Sequence, residues 1–247
     1  MSQASASIAR EEIAQFSSHA DDWWNPEGKF KPLHKLNPVR IAYVRDHICR
    51  HKKLNLEGKK PLKGLKILDI GCGGGLMTEP LARLGGDVTG LDASEVTIEI
   101  ARQHAQSVGL KINYQIASAE MLVERPQRYD VVTALEVVEH VADIKSFLGA
   151  ISELLKPDGL LIMSTLNRTT KSFFLGIVAA EYVLNWLPRG THQWNKFMRP
   201  SRLVHNLAEL GINTHDITGL VFNPWCNEFQ LSKEDFDVNY LLSATKR

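Results

Sequence analysis

Lys66-Ile67-Leu68-Asp69-Ile70-Gly71-Cys72-Gly73-Gly74-Gly75 joins an apolar strand directly to a cluster of glycines, and a helical pattern follows. Glycines in such a turn let backbone N–H groups approach a ligand that side chains would otherwise keep away. A second strand pattern, over 87–91, ends at Asp92. A carboxylate in that place accepts both hydroxyls of a ribose. The two features together predict a nucleoside cofactor above the first two strands of an α/β sheet.

The spacing within the glycine cluster argues against a dinucleotide as the nucleoside cofactor. In a dinucleotide-binding fingerprint a third glycine lets the helix pack closely on the strand, and Leu76 stands at that position here. Asp69 adds a negative charge that repels a pyrophosphate but tolerates the ammonium group of an amino acid. We therefore predict that Asp69, Gly71, Gly73 and Asp92 bind the cofactor, and a dehydrogenase becomes the weaker alternative.

Composition and charge exclude some classes of function. The formal net charge of +1 gives no general attraction to nucleic acid, and no nucleic-acid partner is expected. The cysteines, Cys49, Cys72 and Cys226, lack the spacing of a metal site, and their odd number fits a reducing compartment. Residues 1–20 are polar and lack the apolar core of a secretory signal, so we expect a cytoplasmic protein.

Alternating strand and helix patterns run through most of the chain. Two helices are predicted before the glycine cluster, over 10–24 and 38–50, and two strands near the end, over 213–221 and 236–245. Between them we predict strands over 66–70, 87–91, 111–116, 129–134 and 159–164, and helices over 76–84, 94–108, 143–155 and 201–210. The pattern predicts an α/β, Rossmann-like fold, with a mostly parallel sheet, helices on both faces and a C-terminal antiparallel hairpin.

Three polar side chains follow the fourth strand, at the edge where ligands of open α/β sheets bind. If 136–140 forms one helical turn, Glu136, Glu139 and His140 share a face and can bind a divalent cation such as Mg²⁺. Alternatively, His140 is a general base toward a phenolic hydroxyl, whose pKa is about 10 in water. In a third interpretation, Glu139 and His140 begin a solvated helix, and Glu136 lies at the rim of the adenosine site.

Other candidate contacts lie at the sheet edge and near the N-terminus. Leu135 ends the fourth strand and is predicted to pack on the cofactor, and Ala119 follows the third strand, where an adenine would lie. Arg40 is a candidate partner for the carboxylate of the cofactor. The adjacent Trp23 and Trp24 either cover an aromatic acceptor or dock the N-terminal helix on the core.

Residues 169–199 interrupt the alternation and are predicted to be an insertion that faces the substrate or a membrane. Between 172 and 187, only Glu181 is charged, yet the segment is too short and too interrupted for a transmembrane helix. Flanking basic groups and tryptophans suit an interfacial helix that makes a peripheral contact with a lipid surface, such as the inner membrane, through 169–187. The alternative is a buried helix of a substrate lid.

Several motifs together resemble one family. D-I-G-C-G-G-G (69–75) is similar to motif I of the class I S-adenosylmethionine-dependent methyltransferases. Further stretches resemble the ubiquinone-biosynthesis O-methyltransferases: F-K-P-L-H-K-L-N-P-V-R (30–40), G-L-D (90–92), E-V-V-E-H-V (136–141), S-T-L-N-R (164–168), A-E-Y (180–182), G-T-H (190–192), I-T-G-L (217–220) and D-V-N-Y (237–240). The stretches extend over nearly the whole chain.

The resemblance implies two O-methylations with S-adenosylmethionine, one of a 2-polyprenyl-6-hydroxyphenol and one of 3-demethylubiquinol. It carries cofactor contacts over to Arg40, Gly71, Asp92 and Leu135. It also implies a polyprenylated substrate, contact with other ubiquinone-synthesis enzymes and peripheral membrane association. A divalent metal is implied at Glu136, Glu139 and His140.

The domain organisation that follows is an N-terminal helical cap over 1–60 and a methyltransferase domain over 61–247. Two alternatives to a ubiquinone O-methyltransferase stay open from the residues themselves. One is a methyltransferase for another small phenol. The other is a non-catalytic scaffold that binds the cofactor within a quinone-synthesis complex.

Overall fold

The computed structural model describes residues 22–173 and 194–247. Its strands are β1 (Lys66–Ile70), β2 (Asp87–Asp92), β3 (Asn113–Ile116), β4 (Tyr129–Leu135), β5 (Leu155–Leu166), β6 (Ile212–Asn223), β7 (Glu228–Ser232) and β8 (Asn239–Lys246). Its helices are α1 (Lys31–Lys52), α2 (Thr78–Arg83), α3 (Glu95–Ser107), α4 (Ala119–Val123), α5 (Ile144–Leu154), α6 (Thr170–Ser172) and α7 (Pro200–Glu209), with short 3₁₀ helices at Val138–His140 and Trp194–Lys196. The strands form one eight-stranded sheet in the order β3-β2-β1-β4-β5-β8-β6-β7.

The first five strands run parallel, as predicted. β1 lies between β2 and β4, and Asp69 on β1 is paired with Gly90 on one side and Thr133 on the other. Parallel strands bring their carboxyl ends to the same edge of a sheet. Gly71, which follows β1, and Asp92, which ends β2, therefore lie at one edge together with the turn that follows β4.

The C-terminal strands are antiparallel, as predicted, but there are three of them. β8 pairs with both β5 and β6, and β7 pairs with the last part of β6. The sequence prediction missed β7 because this strand lies at the sheet edge, where most of its side chains are exposed and no regular apolar alternation arises. Since β6 runs in the same direction as β5, the β6–β7 turn lies at the same edge as Gly71 and Asp92.

The helix α1 begins seven residues earlier than predicted, at Lys31 instead of 38. Pro38 lies inside this helix, although proline is favoured at a helix start and disfavoured in its interior. Tertiary contacts offset that cost. Next to the proline, Asn37 is buried and its side-chain amide donates to the carbonyl of Leu76 at 2.6 Å.

Helices cover both faces of the sheet, as predicted, and β1 shows how the two faces differ. Ile67 and Leu68 are both fully buried, yet they belong to different core clusters because successive side chains of a strand point to opposite faces. Leu68 packs in the cluster that contains residues of α4, α5 and α7. Ile67 packs in the cluster that contains residues of α1 and α2.

A polar network fastens α1 to β6. The Tyr43 hydroxyl donates to Asp216 Oδ2 at 2.8 Å, and the Thr218 hydroxyl donates to the same oxygen at 2.6 Å. Lys233 forms an ion pair with Asp216. Burial alone would raise the pKa of Asp216, but these partners together hold it below its usual value.

We expect Asp216→Ala to lower the free energy of unfolding by about 2 kcal/mol, because the substitution leaves the buried Tyr43 hydroxyl without its acceptor. A carboxyl whose pKa is depressed in the folded state stabilises above its unfolded pKa, about 3.9, and loses that effect as pH falls through the folded value. The difference from the wild type in urea unfolding should therefore shrink below about pH 4. Asp46→Ala, on the exposed side of α1, is the matched control.

Two predicted segments lie outside the described residues. The N-terminal helix over 10–24 falls there except for its end, where Trp23 and Trp24 form a turn. Most of the insertion over 169–199 falls there too. Within 22–173 and 194–247, no helix is both long enough and apolar enough to cross a bilayer. The division of the chain at residue 60 stays a prediction.

Candidate active site

The glycine loop after β1 needs its glycines for two physical reasons. Gly71 and Gly73 have positive φ angles of 68° and 51°, which side chains disfavour. The neighbours also leave no room: a Cβ on Gly71 would stand 2.4 Å from the Val137 side chain. The Gly71 N–H donates to the Leu91 carbonyl at 2.7 Å, which ties the loop to the end of β2.

Asp92 lies beside this loop and is largely occupied by protein donors. Its Oδ2 accepts from the Gly73 N–H at 2.9 Å, and its Oδ1 accepts from the Ser94 N–H at 2.8 Å and the Thr97 hydroxyl at 3.3 Å. Burial raises the pKa of Asp92 in spite of these bonds. A carboxylate has about four acceptor positions, so two ribose hydroxyls must replace at least one of the present bonds.

Asp69 lies in β1 just before the glycine loop and is fixed there by two hydroxyl groups. It is 2% exposed, and its two carboxylate oxygens accept the hydroxyls of Thr78 at 2.6 Å and Thr133 at 2.7 Å. Burial raises the pKa of Asp69, and the two hydroxyl bonds oppose that rise. These bonds join β1, β4 and the start of α2. Direct contact between Asp69 and a cofactor stays a prediction.

Arg40 reaches from α1 to the turn after β4. Its guanidinium forms an ion pair with Glu136 and donates to the Asn37 side chain at 3.2 Å. The side chain is buried, and its Nε has no hydrogen-bond partner among the described residues. Glu136 also accepts from the Ser164 hydroxyl at 2.7 Å. Arg40 is thus held at the predicted site with a donor left unused.

The condition for the metal-binding interpretation, one helical turn over 136–140, is not met. Glu136 has a left-handed φ of 52°, and the 3₁₀ helix covers only Val138–His140. Hydrogen bonds to Arg40 and Ser164, which are remote in the sequence, hold the Glu136 carboxylate in a different direction. It therefore does not share a helical face with Glu139 and His140.

The residues predicted to bind a metal do not fit one in this arrangement. Among the described residues, no three His, Cys, Asp or Glu side chains are grouped so as to hold a metal ion. Glu139 is 3% exposed, and one of its oxygens accepts the Thr165 hydroxyl at 2.8 Å. Burial raises the pKa of Glu139, and the neighbouring His140 opposes that rise. His140 itself is half-buried at the end of the turn.

Two further predicted residues lie where the sequence placed them along the fold. Ala119 is buried at the start of α4, directly after Ser118, whose hydroxyl accepts the Met121 N–H and caps that helix. Leu135 is the last residue of β4 and is 9% exposed. Both therefore flank the edge that carries the glycine loop. Their contact with a cofactor stays a prediction.

Sequence reasoning did not foresee how closely the two tryptophans approach the glycine loop. The indole N–H of Trp24 donates to the Gly74 carbonyl at 3.0 Å. A Cβ on Gly73 would stand 2.1 Å from the Trp23 ring, so that ring lies directly against the loop. Both tryptophans therefore pack on the glycine loop, whereas most of the N-terminal helix that they were predicted to dock lies outside the described residues.

Comparison with known proteins identifies the class. A family model described as "Methyltransferase domain" matches residues 41–216. The crystal structure of magnesium protoporphyrin IX methyltransferase from Synechocystis PCC 6803, with bound S-adenosylhomocysteine, is similar with a TM-score of 0.65. The two chains are 20% identical, and the similarity covers 96% of this chain and 100% of that one, which shows a shared fold. The chain is an S-adenosylmethionine-dependent methyltransferase.

Similar sequences identify the family within that class. The "Ubiquinone biosynthesis O-methyltransferase" of Chelativorans sp. (strain BNC1) is 51% identical over 95% of this chain and 92% of its own length. The protein of the same name from Sinorhizobium fredii (strain NBRC 101917 / NGR234) is 49% identical over 98% of both chains. The chain belongs to the family of ubiquinone biosynthesis O-methyltransferases.

Proposed function

We propose that this enzyme transfers the methyl group of S-adenosylmethionine to the phenolic hydroxyl of 2-polyprenyl-6-hydroxyphenol and of 3-demethylubiquinol. The observation that carries the proposal is the position of His140. It is a half-buried imidazole just beyond β4, at the sheet edge that holds the glycine loop and Asp92. The names of relatives about half identical over nearly the whole chain support O-methylation in ubiquinone biosynthesis.

The cofactor residues of this chain have separate tasks in the proposal. When bound, S-adenosylmethionine supplies a methyl group activated by a sulfonium. Gly71 and Gly73 let the backbone approach its amino-acid part, and Asp92 accepts its ribose hydroxyls. Arg40, with an unused buried donor, is placed to bind its carboxylate. Ala119 and Leu135 flank the adenine and the amino-acid part respectively.

In the proposal, His140 removes the proton of the phenolic acceptor. A phenol has a pKa of about 10, so at neutral pH most of it is protonated and a poor nucleophile. His140 removes that proton as a general base while the protein holds the acceptor oxygen in line with the methyl group and the sulfur. Because Glu136, Glu139 and His140 do not form a metal site here, the proposal assigns no step to a metal.

The test is transfer of labelled methyl from S-adenosylmethionine to a prenylated demethylquinol and to a prenylated hydroxyphenol. The mass of each product should rise by one methyl group. The rate should be unchanged by a chelator. No product from an enzyme that still binds the cofactor would point to a scaffold. Faster transfer to short catechols without a tail would favour another small phenol.

The lipid-soluble tail of the proposed acceptor favours a cytoplasmic enzyme that makes peripheral contact with the inner membrane. A polyprenyl tail partitions into lipid, so the active-site edge must come near a bilayer or receive the tail from another enzyme of the pathway. The predicted contact segment, 169–187, lies mostly outside the described residues. Its described beginning supports the proposal, because Phe173 is 40% exposed just beyond the carboxyl end of β5.

Trp225 supports the same membrane contact. It is 95% exposed in the β6–β7 turn, at the active-site edge, and tryptophan favours the interface between lipid and water. We expect Trp225→Ala to weaken co-sedimentation with anionic liposomes several-fold while leaving methyl transfer to a short-tailed acceptor intact. Leu56→Ala, which removes an exposed apolar side chain before β1 at the opposite edge, is the control. Equal loss in both variants would contradict the proposal.

A further inference from the structure

The two adjacent tryptophans differ in how their indole N–H groups are used. The Trp24 indole donates to the Gly74 carbonyl at 3.0 Å and stacks on His104, with 3.5 Å between the ring centroids. The Trp23 indole Nε1 is buried and has no hydrogen-bond partner among the described residues. The Trp24 N–H therefore donates a hydrogen bond within the protein, whereas the Trp23 N–H has no acceptor among the described residues.

Trp23 is held firmly in this position. Its ring lies 4.1 Å from that of Phe30, between centroids, and its carbonyl is bonded to the imidazole of His34 at 2.9 Å. The side chain is only 7% exposed. A Cβ on Gly74 would stand 2.2 Å from its Cδ1 and 2.6 Å from its Nε1. A Cβ on Gly73 would stand 2.1 Å from Cζ2, so the whole indole lies on the glycine loop, with its pyrrole side and N–H next to Gly74.

An indole N–H is only a donor, so its missing partner must be an acceptor. A buried donor without a partner is costly, and native structures rarely keep one without a reason. The glycine loop is where the amino-acid part of S-adenosylmethionine is expected, and the acceptor of that part is its carboxylate. The Nε of Arg40, a second unused buried donor, comes from the same N-terminal segment.

We propose that the indole N–H of Trp23 donates a hydrogen bond to the carboxylate of bound S-adenosylmethionine. Trp23 is thereby a cofactor-binding residue that distinguishes the complete cofactor from analogues without the carboxylate. Trp24 has a different task, which is to fix the loop by its bond to Gly74. The inference rests on the cofactor and not on the identity of the methyl acceptor, so it can fail while the proposed reaction stands.

The test compares Trp23→Phe with the wild type in calorimetric titrations with S-adenosylmethionine and with its decarboxylated analogue. Phenylalanine keeps an aromatic ring on the loop and removes the N–H. We expect the variant to bind the complete cofactor about tenfold more weakly, since a hydrogen bond to a charged group is lost. Binding of the decarboxylated analogue should change by less than about twofold, because that ligand never received the bond.

Trp24→Phe is the matched control, because its N–H donates to the protein and not to a ligand. Trp24→Phe should lower the affinity for S-adenosylmethionine and for the decarboxylated analogue by the same factor. If Trp23→Phe also lowered both affinities equally, the proposal would be overturned and Trp23 would have a packing role only. Unchanged binding of the complete cofactor by that variant would overturn it as well.

A second measurement needs no substitution that risks the fold. The wild-type protein has five tryptophans, whose indole ¹⁵N–¹H resonances can be counted separately. One of them should move downfield when S-adenosylmethionine is added and stay in place with the decarboxylated analogue. If no indole resonance distinguishes the two ligands, the proposed bond does not exist.

Discussion

Asp92→Ala is expected to weaken the binding of S-adenosylmethionine by a factor on the order of 100 or more, because bonds from two ribose hydroxyls to a buried carboxylate are lost. The substitution also removes the hydrogen bonds that Asp92 accepts from the N–H groups of Gly73 and Ser94. The glycine loop is then no longer connected to the start of α3 through this carboxylate. Calorimetric titration with the cofactor measures the loss. Thermal unfolding of the free protein measures how much of it comes from the loop.

Two further variants separate these contributions. Asp92→Asn keeps the shape and one acceptor oxygen, so its affinity should lie between those of the wild type and Asp92→Ala. Asp87→Ala removes an exposed carboxylate at the other end of β2 and should leave cofactor binding unchanged. If Asp92→Ala bound the cofactor as tightly as the wild type, the assignment of the ribose site would be wrong.

The parallel half of the fold was predictable because its determinants are local. The run from Lys66 to Gly75 carries the strand, the turn and the helix start within ten residues, and Asp92 ends the next strand in the same way. Residues at the carboxyl ends of parallel strands must meet at one edge, so the sequence alone predicts that the glycine loop and Asp92 lie close together.

The parts that the sequence did not predict depend on contacts between distant residues. Glu136 takes a left-handed conformation because Arg40, 96 residues away, and Ser164, 28 residues away, bind its carboxylate. No local pattern over 136–140 reports such partners. Likewise, α1 continues through Pro38 because Asn37 is bonded to the loop at Leu76, a contact that helix propensity does not include.

The orientation of the tryptophans was also beyond local reasoning. Trp23 and Trp24 are neighbours in the sequence, yet the fold gives one N–H a protein acceptor and leaves the other without one. Such a difference depends on ring orientation against Gly73 and Gly74.

His140→Ala is expected to lower kcat by a factor of about 10² to 10⁴, the usual contribution of a positioned general base. The affinity for S-adenosylmethionine should stay unchanged, because the cofactor contacts proposed here come from Arg40, the glycine loop, Asp92 and Leu135. Single-turnover methyl transfer, combined with calorimetric titration of the cofactor, separates the two effects. Equal loss of turnover and cofactor affinity would contradict the assigned role.

The dependence on pH gives the sharper test, because a general base is needed only while the acceptor is protonated. As the pH rises toward about 10, where a phenol ionises in water, the acceptor loses its proton without help. The deficit of His140→Ala should therefore shrink steadily between about pH 7.5 and pH 9, where an ordinary imidazole is largely unprotonated. A deficit that is constant over this range would mean that His140 positions the acceptor instead of removing its proton. His205→Ala, on the exposed side of α7, should match the wild type at every pH.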